Sequence, residues 1–164
     1  MLGEFFSSIF SGATLAFIGA FLAVALSGIG SAKGVGSAAC AADGMLAEQP
    51  SMTGKVMILE MLPATQGLYG FVIAFLIIIQ TGLLGGADIS QITVSQGANY
   101  LIAALPVALT GLISAQYQAK AAIAGINLIA KRKDKFGVAM MNASLVELYA
   151  ILGLLISIFL VFNV

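Results

Sequence analysis

The sequence contains no histidine, no tryptophan, one cysteine and three prolines, and only 9% of its 164 residues are charged. Each scarcity excludes something. Without histidine and with one thiol, Cys40, neither an ordinary zinc site nor an internal disulfide can form. Cys40 lies among Ser37, Ala38, Ala39 and Ala41 and is expected to serve packing. No nucleophile-base pair, phosphate-binding Gly-Lys loop or nucleotide signature occurs, so the chain hydrolyses nothing by itself. A charged fraction of 9% is far below the roughly 25% of an ordinary globular domain. No segment is long or polar enough to fold separately in water.

What is present is apolar: 60% of the chain. Charge-free runs cover 5–32, 61–87 and 89–119, and a fourth, 136–164, is broken only by Glu147. About 20 residues at 1.5 Å rise cross a hydrocarbon layer, so four spanning helices are expected. Their continuous apolarity argues against a β-barrel, which alternates lipid-facing and lumen-facing residues. The N-terminus lacks the basic stretch of a secretory signal peptide, so the first run is read as a retained helix.

All seven basic residues fall in two zones. Lys33 and Lys55 flank the first connection; Lys120, Lys131, Arg132, Lys133 and Lys135 flank or fill the third. The middle connection, Gly82 to Asp88, and both termini carry none. By the positive-inside rule the first and third connections are cytoplasmic, and both termini face outward. The Lys131–Lys135 cluster is read as this topology signal, with no nucleic-acid partner.

The first and third helices are rich in small residues. Gly28, Gly30, Ala32, Gly34 and Gly36 are expected to form one packing stripe, and Gly111, Ala115, Ala119 and Ala122 another, letting backbones approach closely in lipid. Both helices are expected to project past the membrane, to about Leu46 and Lys131. The bulkier second and fourth run from roughly Gly54 to Thr81 and Gly137 to Phe162. The chain also repeats itself: SGIGSAKGVG at 27–36 aligns with TGLISAQYQA at 110–119, and GLYGFVIAFL at 67–76 with ELYAILGLLI at 147–156. Two tandem hairpins of the same orientation follow, 1–82 and 83–164. The position of Glu147 in the second is held by Gly67 in the first, so one carboxylate serves four helices.

Glu147 sits near the bilayer centre, roughly 15 Å from the end of its helix at 1.5 Å per residue, where a charge costs at least about 2.5–3.5 kcal/mol. Such a residue is functional by default. Thr65, Gln66 and Tyr69 on the second helix, and Gln116 and Gln118 on the third, offer neutral partners. Pro63 is expected to kink the second helix just before them and to present carbonyl oxygens. Carboxylate, hydroxyl, amide and carbonyl oxygens without His or thiolate suit a hard cation. A proton needs only the carboxylate, so the excess of oxygen ligands argues for Na⁺ over H⁺. Glu60, near the cytoplasmic end of the second helix, is expected to reach the interface.

The sequence resembles the ion-ring (proteolipid, K or c) subunits of V-type and archaeal-type rotary ATPases, especially the bacterial Na⁺-transporting kind. The likeness runs through SGIGSAKGVG, LPATQGLYGFVIAFLI, SAQYQAKAAIAGI and LVELYAILGLLISIFL. It implies a cation held by the Leu62 carbonyl, Thr65, Gln66, a Gln on the third helix and Glu147, with Tyr69 bonding to that carboxylate. Spacing to Lys120 favours Gln118 over Gln116. The resemblance further implies an all-α membrane protein assembling into a closed homo-oligomeric ring in the bacterial cell membrane, with helices one and three inside. Its implied partners are lipid, a stator subunit with an essential Arg, and a central-stalk subunit on the cytoplasmic loops. The leading expectation is a rotor-ring subunit that carries Na⁺. The rivals are the same rotor carrying H⁺ and a non-coupled pore, which would want polar residues repeated along one helix face.

Overall fold

The computed structural model describes residues 10–164 and is wholly helical there, turns and connections apart; the start of the first apolar run, 5–9, lies outside the described residues. Four helical stretches are long and apolar enough to cross a membrane. The first span is α1, Gly12–Glu48. The second comprises α2, Thr53–Met61, a 3₁₀ turn at Leu62–Ala64, and α3, Thr65–Gln80. The third is α4, Val94–Lys131, and the fourth α5, Phe136–Val161.

The ends of α1 follow from single residues. The Ser11 hydroxyl accepts from the Thr14 amide at 3.2 Å, satisfying one free donor of the first turn. Pro50 cannot continue the helix, and the Gln49 side chain instead donates to the Ala130 carbonyl at 3.1 Å, tying the ends of the first and third spans together. At 37 and 38 residues, α1 and α4 are about 56 Å long at 1.5 Å per residue, well beyond the roughly 30 Å hydrocarbon layer. That excess length is what the expected projection past the membrane requires.

The first and third spans make the most extensive contact in the molecule, with the second span laid on the first and the fourth on the third. Small residues permit it. A Cβ on Gly30 would sit 2.7 Å from the Leu112 Cα, and one on Gly34 would sit 2.8 Å from the Ala115 carbonyl oxygen. The expected five-residue stripe of the first span is, however, two stripes. Gly30 and Gly34, four apart, face the third span; Gly28, Ala32 and Gly36 occupy another face, and a Cβ added to Gly28 or Gly36 would have nothing within 4 Å. At 3.6 residues per turn, positions two apart point about 200° away from each other, so the two sets cannot share a face. Cys40 continues the exposed set and is itself exposed, against its expected packing role. The third-span stripe, Gly111, Ala115, Ala119 and Ala122, is buried throughout.

Pro63 breaks the second span. Lacking an N–H, and with its ring pressing on the carbonyl one turn back, it forces the 3₁₀ turn from which α3 restarts. The Pro63 Cβ lies against Gly34, where only glycine leaves room. Pro106 interrupts the third span without ending it. There Ser157 accepts from the Val107 amide at 3.1 Å, and Ser27 donates to the Val107 carbonyl at 3.0 Å. Hydroxyls from the fourth and first spans thus serve the backbone that the proline disturbs.

The middle connection runs past its expected end at Asp88 to Thr93. Asp88 caps a further 3₁₀ turn, Ile89–Gln91, accepting from the Ser90 amide and hydroxyl at 3.0 and 2.6 Å. These bonds, the Ser90 hydroxyl's first, hold its carboxyl below the ordinary aspartate range. Thr93 and Gln96 then form a capping box that starts α4. In the third connection, Arg132 forks onto Asp134 at 3.0 and 3.1 Å, holding that carboxyl low as well.

Candidate ion-binding site

Eleven residues into α5, about 16 Å along the helix, Glu147 turns toward the junction of the second and third spans. Tyr69 on α3 donates to Glu147 Oε1 at 2.6 Å. Gln118 on α4 donates to Glu147 Oε2 at 3.4 Å, and its Oε1 accepts from the Gln66 amide. Thr65 donates to the Leu62 carbonyl at 3.1 Å and approaches Gln66 Oε1 at 3.4 Å. The six groups from Leu62 to Glu147 therefore form one connected network drawn from three spans. Gln66 and Gln118 are wholly buried, while Leu62, Thr65, Tyr69 and Glu147 are half-buried.

Local sequence explains the convergence. The turn at Leu62–Ala64 opens the second span and exposes the Leu62 carbonyl to the Thr65 hydroxyl. One helical turn then brings Gln66 and Tyr69 to the same side. Close approach is enforced at Gly70, where any Cβ would overlap the Ala23 carbonyl oxygen. The third span contributes Gln118 from its buried face, one position before Ala119 in the small-residue stripe.

Of the two glutamines in SAQYQAK, Gln116 is exposed and donates to the Leu112 carbonyl of its own helix at 3.0 Å. It lies outside the network, and so does half-buried Glu60. Ser31 is a neighbour of the site that the sequence reading misses. Its hydroxyl accepts from the Gly67 amide at 2.8 Å, directly behind Gln66, and its place in the repeated SGIGSAKGVG motif is the signal that could have found it.

Chemically, the arrangement is one carboxylate among neutral oxygens, without a cationic side chain. Among the described residues no cluster of three or more His, Cys, Asp or Glu occurs. The donor set is that of a monovalent hard cation, whose single charge one carboxylate balances. Each glutamine presents its oxygen or its nitrogen on turning its amide over, so the same side chains bond to one another or face a cation.

Among the described residues the chain is thus a four-span helical membrane protein with a half-buried carboxylate, Glu147, bonded to side chains of two other spans. Comparison with known proteins narrows the class. The family model for the C subunit of ATP synthase matches twice, at residues 18–77 and 101–160. The V-type sodium ATPase subunit K of Enterococcus hirae is 50% identical over 141 residues, 86% of each chain. The A-type ATP synthase subunit K of Methanocaldococcus jannaschii is 40% identical over 147 residues, 90% of this chain and 61% of that one. The chain belongs to the family of the ATP synthase C subunit, as an ion-ring proteolipid of the V-type and archaeal-type branch. It is a non-catalytic membrane subunit, and proteins of this family form a ring of copies within a rotary ATPase.

Proposed function

We infer that this chain is a rotor-ring subunit that carries Na⁺ across a bacterial cell membrane, one ion per chain, at Glu147. The observation that carries the reading is the network itself: the Leu62 carbonyl, Thr65, Gln66 and Gln118 are joined by successive hydrogen bonds to one carboxylate, more oxygen than a proton requires. The name of the Enterococcus hirae relative, a sodium ATPase subunit, supports the same cargo.

In this mechanism the ionised Glu147 neutralises the cation, the four other oxygens replace its water, and Tyr69 holds the carboxylate in place. The site opens where a stator subunit brings an Arg beside Glu147, because a positive neighbour favours the bare carboxylate once the ion has left. The hairpins 1–82 and 83–164 are the tandem units of each chain, and copies of the chain make up the ring. The first and third connections, which the basic residues flank or fill, face the cytoplasm, where a central-stalk subunit sits; the middle connection and both termini face outward.

A hydrophobic carbodiimide, which attacks the protonated carboxyl, tests the cargo. Na⁺ is expected to slow labelling of Glu147 at constant ionic strength and K⁺ to leave it unchanged. Equal rates in the two salts would favour the rotor carrying H⁺, for which the Tyr69–Glu147 bond alone closes the site.

A further inference from the structure

The fourth span carries two polar side chains shortly before Glu147, Asn142 and Ser144, and the helical period sends them apart. At 3.6 residues per turn, positions two apart point about 200° away from each other. Asn142 lines a cavity of about 320 Å³ between the third and fourth spans, with Ala121, Gly125 and Ala139. Ser144 lies on the other side. Three residues before Glu147, it shares that residue's face. A helical side chain leans toward the N-terminus of its helix, so the Glu147 carboxylate reaches back over the turn that carries Ser144.

Glu147 uses this face to meet the second span, where Tyr69 donates to it at 2.6 Å. The second and fourth spans run in the same direction, and this bond sets their register. One turn back from the pair stand Thr65 on the second span and Ser144 on the fourth, both half-buried.

The Ser144 hydroxyl has no structural task. Thr110 donates to the Pro106 carbonyl of its own helix at 2.8 Å, Ser27 and Ser157 serve the backbone at Val107, and Ser31 accepts from the Gly67 amide. Ser144 forms no hydrogen bond, not even with the Met140 carbonyl one turn back, where a helical serine ordinarily finds its partner. Its repeat equivalent is Ala64, so the hairpin pattern does not require a hydroxyl there. Taking a hydroxyl out of water costs free energy unless it finds a partner. One standing beside the carboxylate is free to bind what the carboxylate binds.

We propose that Ser144 is a further ligand of the carried cation and favours Na⁺ over the smaller Li⁺. The proposal rests on the reading of Na⁺ as the cargo and adds one oxygen to its ligands. The Leu62 carbonyl, Thr65, Gln66, Gln118 and Glu147 Oε2 offer five, Glu147 Oε1 being engaged by Tyr69. Hard cations such as magnesium and calcium take about six or more, and Ser144 supplies the sixth. Ligand number is one property by which a site selects between hard cations. Fewer oxygens surround a smaller ion, so loss of the sixth burdens Na⁺ more than Li⁺.

The test is equilibrium binding of Na⁺ to the purified ring, with Li⁺ as competitor. Ser144→Ala is expected to bind Na⁺ about tenfold more weakly, still at one ion per copy, and to lose less affinity for Li⁺. Ser144→Cys, close in size but with a soft sulfur, should behave as Ser144→Ala, and Ser144→Thr, which keeps the hydroxyl, should retain the wild-type affinity. Asn142→Ala, on the other side of the helix, should change binding of neither ion. Alanine favours a helix, and native mass reads the assembly of each ring separately. Wild-type Na⁺ affinity in Ser144→Ala and Ser144→Cys would overturn the proposal. So would equal losses for Na⁺ and Li⁺, the result for a hydroxyl that steadies the carboxylate without touching the ion. A wild-type ring without saturable Na⁺ binding would instead overturn the Na⁺ reading itself.

Discussion

The two hairpins follow the same pattern but have divided the work. The first has the kink at Pro63, the hydroxyl and amide of Thr65 and Gln66, and Gly67 where a carboxylate would stand. The second has an unbroken fourth span, Leu145 and Val146 at the equivalent of the neutral ligands, and Glu147. The first repeat supplies the Leu62 carbonyl, Thr65 and Gln66, and the second supplies Gln118 and the charge. The difference teaches why the site lies inside the chain: neither hairpin alone carries both halves of the donor set. It also limits the burden of intramembrane charge, at least about 2.5–3.5 kcal/mol per central carboxylate, to one per four helices.

The sharpest break of the comparison is removal of the charge. Glu147→Gln is expected to abolish Na⁺ transport by the complex and carbodiimide labelling, with the ring mass unchanged; residual labelling at the wild-type rate would place the reactive carboxyl elsewhere. Next come the small residues behind the site, Gly70 in the first hairpin and its equivalent Ala150 in the second. A Cβ on Gly70 would overlap the Ala23 carbonyl oxygen and lie 2.6 Å from the Ser27 Cβ. Because a backbone atom cannot yield without parting the spans, Gly70→Ala is expected to destabilise by about 1–3 kcal/mol, more than alanine's helix preference of about 1 kcal/mol returns. Ala150→Gly is expected to cost about 1 kcal/mol or less. Thermal dissociation of the ring in detergent measures both, and equal shifts would mean that the approach at Gly70 is not tight.

A smaller contrast separates Ser31 from Ser114, equivalent by repeat. Ser31 accepts from the Gly67 amide at 2.8 Å, while buried Ser114 has no hydrogen-bond partner. Ser31→Ala is expected to cost about 1 kcal/mol and to weaken Na⁺ affinity through Gln66. Ser114→Ala is expected to be neutral or slightly stabilising and to leave affinity unchanged. Urea-dependent dissociation and Na⁺ titration read the two effects. The smallest expected effect is at the middle connection. Because the Asp88 carboxyl is held low in the folded chain, its contribution is present above the ordinary aspartate value of about 3.9 and fades as pH falls through its lower folded value. Amide exchange at Ser90 should therefore gain protection as pH rises through that window after correction for intrinsic rates, and Asp88→Asn should remove the dependence.

Much of this is legible in the residues. Charge-free runs of spanning length can hardly be anything but membrane helices, and a proline ahead of Thr65 and Gln66 announces a broken helix. Glu147 stands out because nothing else in its run is charged. The split of the glycine stripe is readable from the helical period, since Gly28 and Gly30 are two apart. Which glutamine of SAQYQAK turns inward is decided by packing: Gln118 shares the buried face with Gly111, Ser114 and Ala115, and Gln116 does not. The roles of Ser27 and Ser157 at Pro106 require knowing which spans flank the third. The extended middle connection depends on two successive caps, Asp88 and Thr93, that look like ordinary loop residues in a string of letters.

The central claim, that the two halves of one donor set bind one ion within each chain, is tested most directly by equilibrium binding of radioactive Na⁺ to the purified ring across pH. The account predicts saturation at one Na⁺ per copy, an apparent affinity that weakens as acid protonates the same carboxylate, and no saturable binding in Glu147→Gln. Two ions per copy, or saturable binding that survives Glu147→Gln, would contradict it.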